Sequence, residues 1–285
     1  MKRLIVLLGV AGVSLSAVFA RQSTAPSMVL VFYRVGLAAA LLLPWVLVKH
    51  RAELRALPRR EALLSLFSGI FLGIHFAVYF QSLRYTSVAA AVVLVDAEVF
   101  FVALAMVLVF RQKLPKLAWV AILLTFIGSV VVAMTDTGVG SNVLLGNLLA
   151  LLGALLMAVY TLIGSYCRRR LSTTMYTFLA YGAAAVVMLA LCGIQSVPVT
   201  GYGARNFLFG LGLAVFCTLL GHSLFSWGLK YLPAAFIATV KLLEPVFAAV
   251  WGYTLFGELP TLPLILGGAV IIFGIALYGR TTEET

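Results

Sequence analysis

The chain has 285 residues, of which 63% are hydrophobic and 10% charged, with a mean hydropathy of +1.12 and a formal charge of +11. Water-soluble domains carry roughly 25% charged residues, so this composition excludes a soluble enzyme, a disordered chain and a disulfide scaffold. The basic excess fits membrane topology signals better than a nucleic-acid surface, and Cys167, Cys192 and Cys217 lack metal-ligand spacing.

A helix needs about 20 mostly apolar residues to cross a bilayer. Ten such runs follow in chain order, at 4–20, 28–48, 63–83, 87–110, 117–134, 144–164, 174–194, 206–229, 235–256 and 262–279. The first, preceded by Lys2 and Arg3 and ending Val18-Phe19-Ala20, also fits a cleavable signal peptide. The repeat described below favours a span instead. No connection between runs is long enough for a separate domain, so function must reside among the helices. The small residues Gly267, Gly268 and Gly274 predict close packing of the tenth.

With ten spans, alternate loops share a side. One side holds Arg21, Arg84 and Arg205; the other holds fifteen of the 20 basic residues, including Lys49, Arg51, Lys113, Arg168 and Arg169. The positive-inside rule then predicts that both termini are cytoplasmic in a multi-pass protein of the cytoplasmic (inner) membrane. Arg34 and Lys241 remain inside spans.

The chain also repeats itself. Leu83-Arg84-Tyr85 corresponds to Leu229-Lys230-Tyr231, Glu98-Val99 to Glu244-Pro245 and Phe110 to Phe256, all 146 residues apart. Each half holds five spans. Five is odd, so the second half starts on the opposite side, which makes the repeats inverted and predicts a binding site near the membrane midplane. The expected architecture is all-α integral membrane, ten transmembrane helices in two inverted five-helix repeats, at 1–139 and 140–285.

The segments from Gly221 through Trp227-Gly228-Leu229-Lys230-Tyr231-Leu232-Pro233, Leu243-Glu244-Pro245-Val246-Phe247 and Phe256-Gly257-Glu258, with His75-Phe76 to Ala89 in the first half, carry a family resemblance. The chain resembles the drug/metabolite transporter superfamily in its ten-helix EamA branch. The resemblance implies a small-solute carrier, often an exporter of amino acids or related metabolites, and not an enzyme. Two departures stand in the first half. Val99 occupies the place of the usual proline, and Arg111-Gln112 that of the usual glutamate.

Asp96, Glu98, Glu244, Arg34 and Lys241 fall within spans, where each charge costs roughly 2.5–3.5 kcal/mol on insertion scales. They must face a polar interior or one another. Asp96 with Lys241, or Lys241 with Glu244, is the expected ion pair; that pair either locks helices or leaves a carboxylate for a proton or a substrate cation. Arg34 and Lys241 are candidates for anionic groups, though Arg34 could instead snorkel to the outer interface. Glu98 and Glu244 are candidates for cations or protons, and Pro245 for a helix kink. His75, Tyr79, Tyr160 and His222 are expected to shape the site. No cofactor, metal or nucleic acid is implied. A phosphate-cradling loop is missing from the sequence, so no ATPase subunit is expected. The expected function is secondary transport of a small organic metabolite by alternating access, the expected partners being the solute and the bilayer, in a monomer or homodimer. The alternatives are a passive, channel-like facilitator and a membrane-embedded lipid-modifying enzyme.

Overall fold

The computed structural model describes residues 2–134 and 141–281, so the expected boundary between 139 and 140 lies outside the described residues. Among the described residues, ten helices are long and apolar enough to cross a membrane: α1 (Lys2–Gln22), α2 (Ser27–Lys49), α3 (Arg59–Ser82), α4 (Ala90–Leu108), α5 (Lys116–Ala133), α6 (Val143–Cys167), α7 (Thr173–Ile194), α8 (Gly203–Gly228), α9 (Ala234–Phe256) and α10 (Leu262–Thr281). There is no strand among the described residues. Helices satisfy each backbone N–H and C=O within their own segment, which is what a solvent without hydrogen-bonding capacity demands. Large apolar side chains such as Leu104, Leu123, Leu152 and Phe273 point outward and are exposed. That would be an aggregation hazard in water and is the natural lipid-facing surface of a membrane protein.

The chain forms two compact units. The first comprises Met1–Ala77 and Val159–Tyr231, the second Val78–Ala158 and Leu232–Thr285. Each unit therefore draws on both halves of the sequence.

Within the first unit, α3 meets α7 through glycine. A Cβ on Gly69 would lie 2.1 Å from the carbonyl oxygen of Ala180, and one on Gly73 would lie 2.9 Å from Val187. Within the second unit α5 and α10 approach in the same manner. Gly128 and Gly267 each face the other's carbonyl oxygen, where a Cβ would come within 2.7 Å, and Gly274 abuts Thr125. Without a hydrophobic driving force between helices in lipid, such backbone approach supplies the dispersion energy that holds them. The glycines of the tenth span thus pack as their spacing suggested, against partners that only the structure identifies.

The segment joining α2 to α3 is fastened to the start of α7 by polar groups. Ser172 caps α7, its Oγ accepting from the Met175 N–H at 3.1 Å. The Ser172 N–H donates to Glu53 Oε1 at 2.6 Å, and His50 Nδ1 lies 2.8 Å from Glu53 Oε2. Burial pushes the Glu53 carboxyl upward. The hydrogen bonds from Ser172 and His50 outweigh that and hold it below its ordinary value of 4.5. These bonds favour the charged form at a helix N-terminus.

Two tests follow from this packing. Gly69→Ala should lower the thermal midpoint of the purified protein sharply, because backbone must move to admit the methyl. Gly182→Ala, with nothing within 4 Å of its Cβ, should stabilise the protein by about 0.4–1 kcal/mol and so raise the midpoint slightly; equal effects would mean that the α3–α7 approach is not close. For Glu53, the folded-state pKa lies below the unfolded one, so its stabilisation is present above about 4.5 and disappears as the pH falls through the lower folded value. Glu53→Gln should therefore flatten the acid limb of a midpoint-versus-pH curve between about pH 5 and 3. An unchanged limb would show that the contact contributes nothing.

Candidate functional site

The sequence-identified residues fall into two groups, one in each compact unit. Tyr79, Asp96, Glu98, Lys241 and Glu244 belong to the second unit. There α4 is interrupted after Val88–Asp96, and Glu98–Leu108 resumes beyond Ala97. In α9, Ala234–Lys241 ends at a turn over Leu242 and Leu243, and Glu244–Phe256 follows. The second segments start at Glu98 and Glu244, again 146 residues apart. In α9 the turn keeps its amides bonded in tighter i to i−3 fashion, Leu242 N–H to Thr239 O at 3.2 Å and Leu243 N–H to Val240 O at 3.1 Å.

Proline is not required for such a break. Pro245 stands at the start of its segment, and the turn over Leu242 and Leu243 lies directly before it, where the missing N–H and the ring act on the Lys241 carbonyl. The kink expected at Pro245 takes the form of that two-residue turn. Val99 stands at the same place in α4, whose interruption forms without any proline.

Lys241 Nζ donates to both Glu98 oxygens, at 3.0 and 3.1 Å, and the two side chains are 13% and 7% exposed. Asp96 Oδ2 accepts from Ser129 Oγ of α5 at 2.9 Å. Glu98–Lys241 is thus an ion pair of this unit, a combination that the sequence had not singled out. Asp96 and Glu244 share its electrostatic neighbourhood, as does Tyr79. Three carboxylates accompany one ammonium here, leaving an excess of acidic groups.

Arg34, His75, Tyr160 and His222 belong to the first unit. Arg34 does not snorkel: it is 6% exposed. Its Nε donates to Thr218 Oγ1 at 3.0 Å, and its Cζ lies 4.8 Å from the centre of the Phe76 ring. The His222 ring meets Phe76 edge-on at 6.0 Å and Tyr160 at 6.5 Å. Tyr160 OH lies 3.3 Å from Ser226 Oγ, and His75 packs on Phe76 at 5.2 Å. This is an aromatic cluster around a buried cation.

The structure also shows what sequence periodicity missed. The middle of α8, Leu213–His222, is π-helical over 10 residues. The wider turn lets Thr218 Oγ1 donate to Leu213 O and Ser223 Oγ to Thr218 O, each five residues back. It also brings Thr218 to Arg34. Wide helical turns of this kind recur at functional sites. Arg168, counted above among loop charges, is 2% exposed; its Nε donates to Ser226 O at 3.0 Å and its Nη1 to Leu171 O. Glu61, also fully buried, accepts from Arg170 at 2.8 Å.

Residues 2–134 and 144–280 each match the model of the EamA-like transporter family. The chain belongs to the EamA-like transporter family. An uncharacterized transporter of Archaeoglobus fulgidus is 28% identical over 257 residues, covering 87% of this chain and 86% of that protein. The pseudopaline exporter CntI of Pseudomonas aeruginosa strain UCBPP-PA14 is 25% identical over 265 residues, covering 92% and 89%. A solved crystal structure at 18% identity has the same fold, with a TM-score of 0.81 over 99% of this chain and 98% of that one. The protein is accordingly a multi-pass membrane transporter for a small molecule, and the resemblance read from its segments stands.

For this EamA-family chain the Glu98–Lys241 contact has a direct consequence. Removing one partner strands the other charge in a poorly solvated place, at a cost of about 3–5 kcal/mol, whereas replacing both can be nearly neutral. Lys241→Met alone should depress the unfolding midpoint in detergent strongly, and Glu98→Gln with Lys241→Met should recover much of the loss. Additive losses in this double-mutant cycle would show that the two side chains do not depend on each other.

Proposed function

We propose that the chain is a secondary transporter of the inner membrane that exports a small organic metabolite, an amino acid or a related compound, by alternating access between two inverted five-helix repeats. The observation that carries this reading is the pair of spans interrupted at positions 146 residues apart, each resuming at a glutamate. Broken helices with polar groups at mid-membrane depth are the usual way for a transporter to bind solute or coupling ion. The matching breaks also support the internal duplication that an inverted architecture needs. Export is favoured by the relative named as an exporter, and a location with both termini in the cytoplasm by the fifteen-to-three distribution of loop charges.

Within this reading Glu98 is held by Lys241, and Asp96 and Glu244, which share its electrostatic neighbourhood, are the acidic groups proposed to handle a proton or a cationic group. A proton moving through Glu244 would couple solute flux to the pH gradient.

The experiment uses purified protein in proteoliposomes. Flux of the solute is expected to saturate, to support counterflow and to respond to an imposed pH gradient. Glu244→Gln should lower it at least about tenfold, the scale on which a proton-transferring group acts, with the unfolding midpoint little changed. Non-saturating flux without counterflow would make the protein a passive facilitator; normal flux in Glu244→Gln would remove that residue from coupling. For topology, cysteines placed at Lys113 and Arg169 should react with a membrane-impermeant thiol reagent from the same side. Cys167, Cys192 and Cys217 are buried and give little background. Labelling from opposite sides would overturn the arrangement.

A further inference from the structure

The buried guanidinium of Arg34 is only partly satisfied. Its Nε has one acceptor, the neutral hydroxyl of Thr218, and its face lies on Phe76. Nη2 is buried and has no hydrogen-bond partner among the described residues. Among those residues no carboxylate forms an ion pair with Arg34. The groups nearest it are rings and hydroxyls: Tyr181, which exerts an electrostatic influence on it, spends its own hydroxyl on Thr218 O and Ser223 Oγ at 3.3 and 3.0 Å.

A fixed charge in such a place needs an anion, and a guanidinium with a free edge suits the planar, two-oxygen geometry of a carboxylate. The π-helical turn of α8 carries Thr218 to Nε, so one side of the fork is pinned while Nη2 is left without an acceptor. The aromatic surroundings would accept an apolar body attached to the anion. We infer that Arg34 is the residue by which this transporter recognises its solute, and that the solute carries a carboxylate by which it is held. This inference rests on the transporter reading above and narrows its substrate class from metabolite to carboxylate.

The test is a matched-pair binding measurement on the purified full chain in detergent. The probes are benzoate, 3-phenylpropionate, 4-methylpentanoate and phenylalanine, each against its own amide, with inorganic phosphate as a bare anion. Affinities come from concentration-dependent shifts of the unfolding midpoint. Carboxylates are expected to bind about ten- to hundredfold more tightly than their amides, the range of a charge-assisted hydrogen bond. Arg34→Gln should erase that preference, and Arg34→Lys, which keeps the charge without the fork, should retain part of it. No preference on the wild-type chain, a preference that survives Arg34→Gln, phosphate binding as well as the carboxylates, or a panel in which no carboxylate binds would each overturn the inference. The wild-type comparison alone decides if the variants do not fold. Saturable flux, with counterflow, of a solute that has no carboxylate would leave the transporter reading standing while removing this one. Carboxylate binding without flux would do the reverse.

Discussion

An ionised side chain in a medium without water has to be matched, and the second compact unit is organised around one such match, Glu98 with Lys241. The requirement reaches beyond the pair. To bring a carboxylate from α4 to an ammonium from α9, both helices stop and restart, and both restart with an acidic residue in the first turn. A helix N-terminus carries a partial positive charge, so a glutamate there is stabilised by its own segment as well as by a partner. The break and the charge therefore support each other. The interrupted backbone gains a favourable end group, and the carboxylate gains a site it would lack in the middle of an unbroken helix.

The span count and the offset between halves were legible, because apolar length and sequence identity are local properties. The pairing of Lys241 with Glu98 was not. A helical wheel assumes about 100° per residue, and on that assumption Asp96 and Glu98 point in different directions with nothing to choose between them. The interruption at Ala97 resets that phase, so the wheel fails at the place where the choice is made. Proline was a misleading guide for a related reason. It marks where a helix tolerates a start, and α4 has such a start at Glu98 with Val99 beside it.

Arg168 and Thr218 illustrate two further limits. Arg168 lies in a run of three arginines at a span end, and charge counting assigns a side of the membrane without saying how deeply a side chain is buried. Its contacts with Ser226 O and Leu171 O make it a structural clasp among carbonyls. Thr218 became relevant only through the π-helical turn, and an extra residue per turn leaves no signature in a pattern of apolar positions.

The 146-residue correspondence extends to the framework and stops at the charges. Glu98 and Glu244 correspond, as do the helix breaks, but Val95 stands opposite Lys241, Leu242 opposite Asp96 and Ala180 opposite Arg34. A carrier with two identical halves would meet its solute equally well in either sense. On the transporter reading, restricting the ammonium to one half and the guanidinium to the other would make the proposed binding groups directional while the helices that carry them stay alike. On the transporter reading, the shared framework then supplies two related conformations, and the unshared charges determine which solute is bound and how it is oriented. Selection can consequently act on specificity at Arg34, Asp96 or Lys241 without disturbing the breaks that both halves need, as long as each buried charge that is changed leaves no partner stranded.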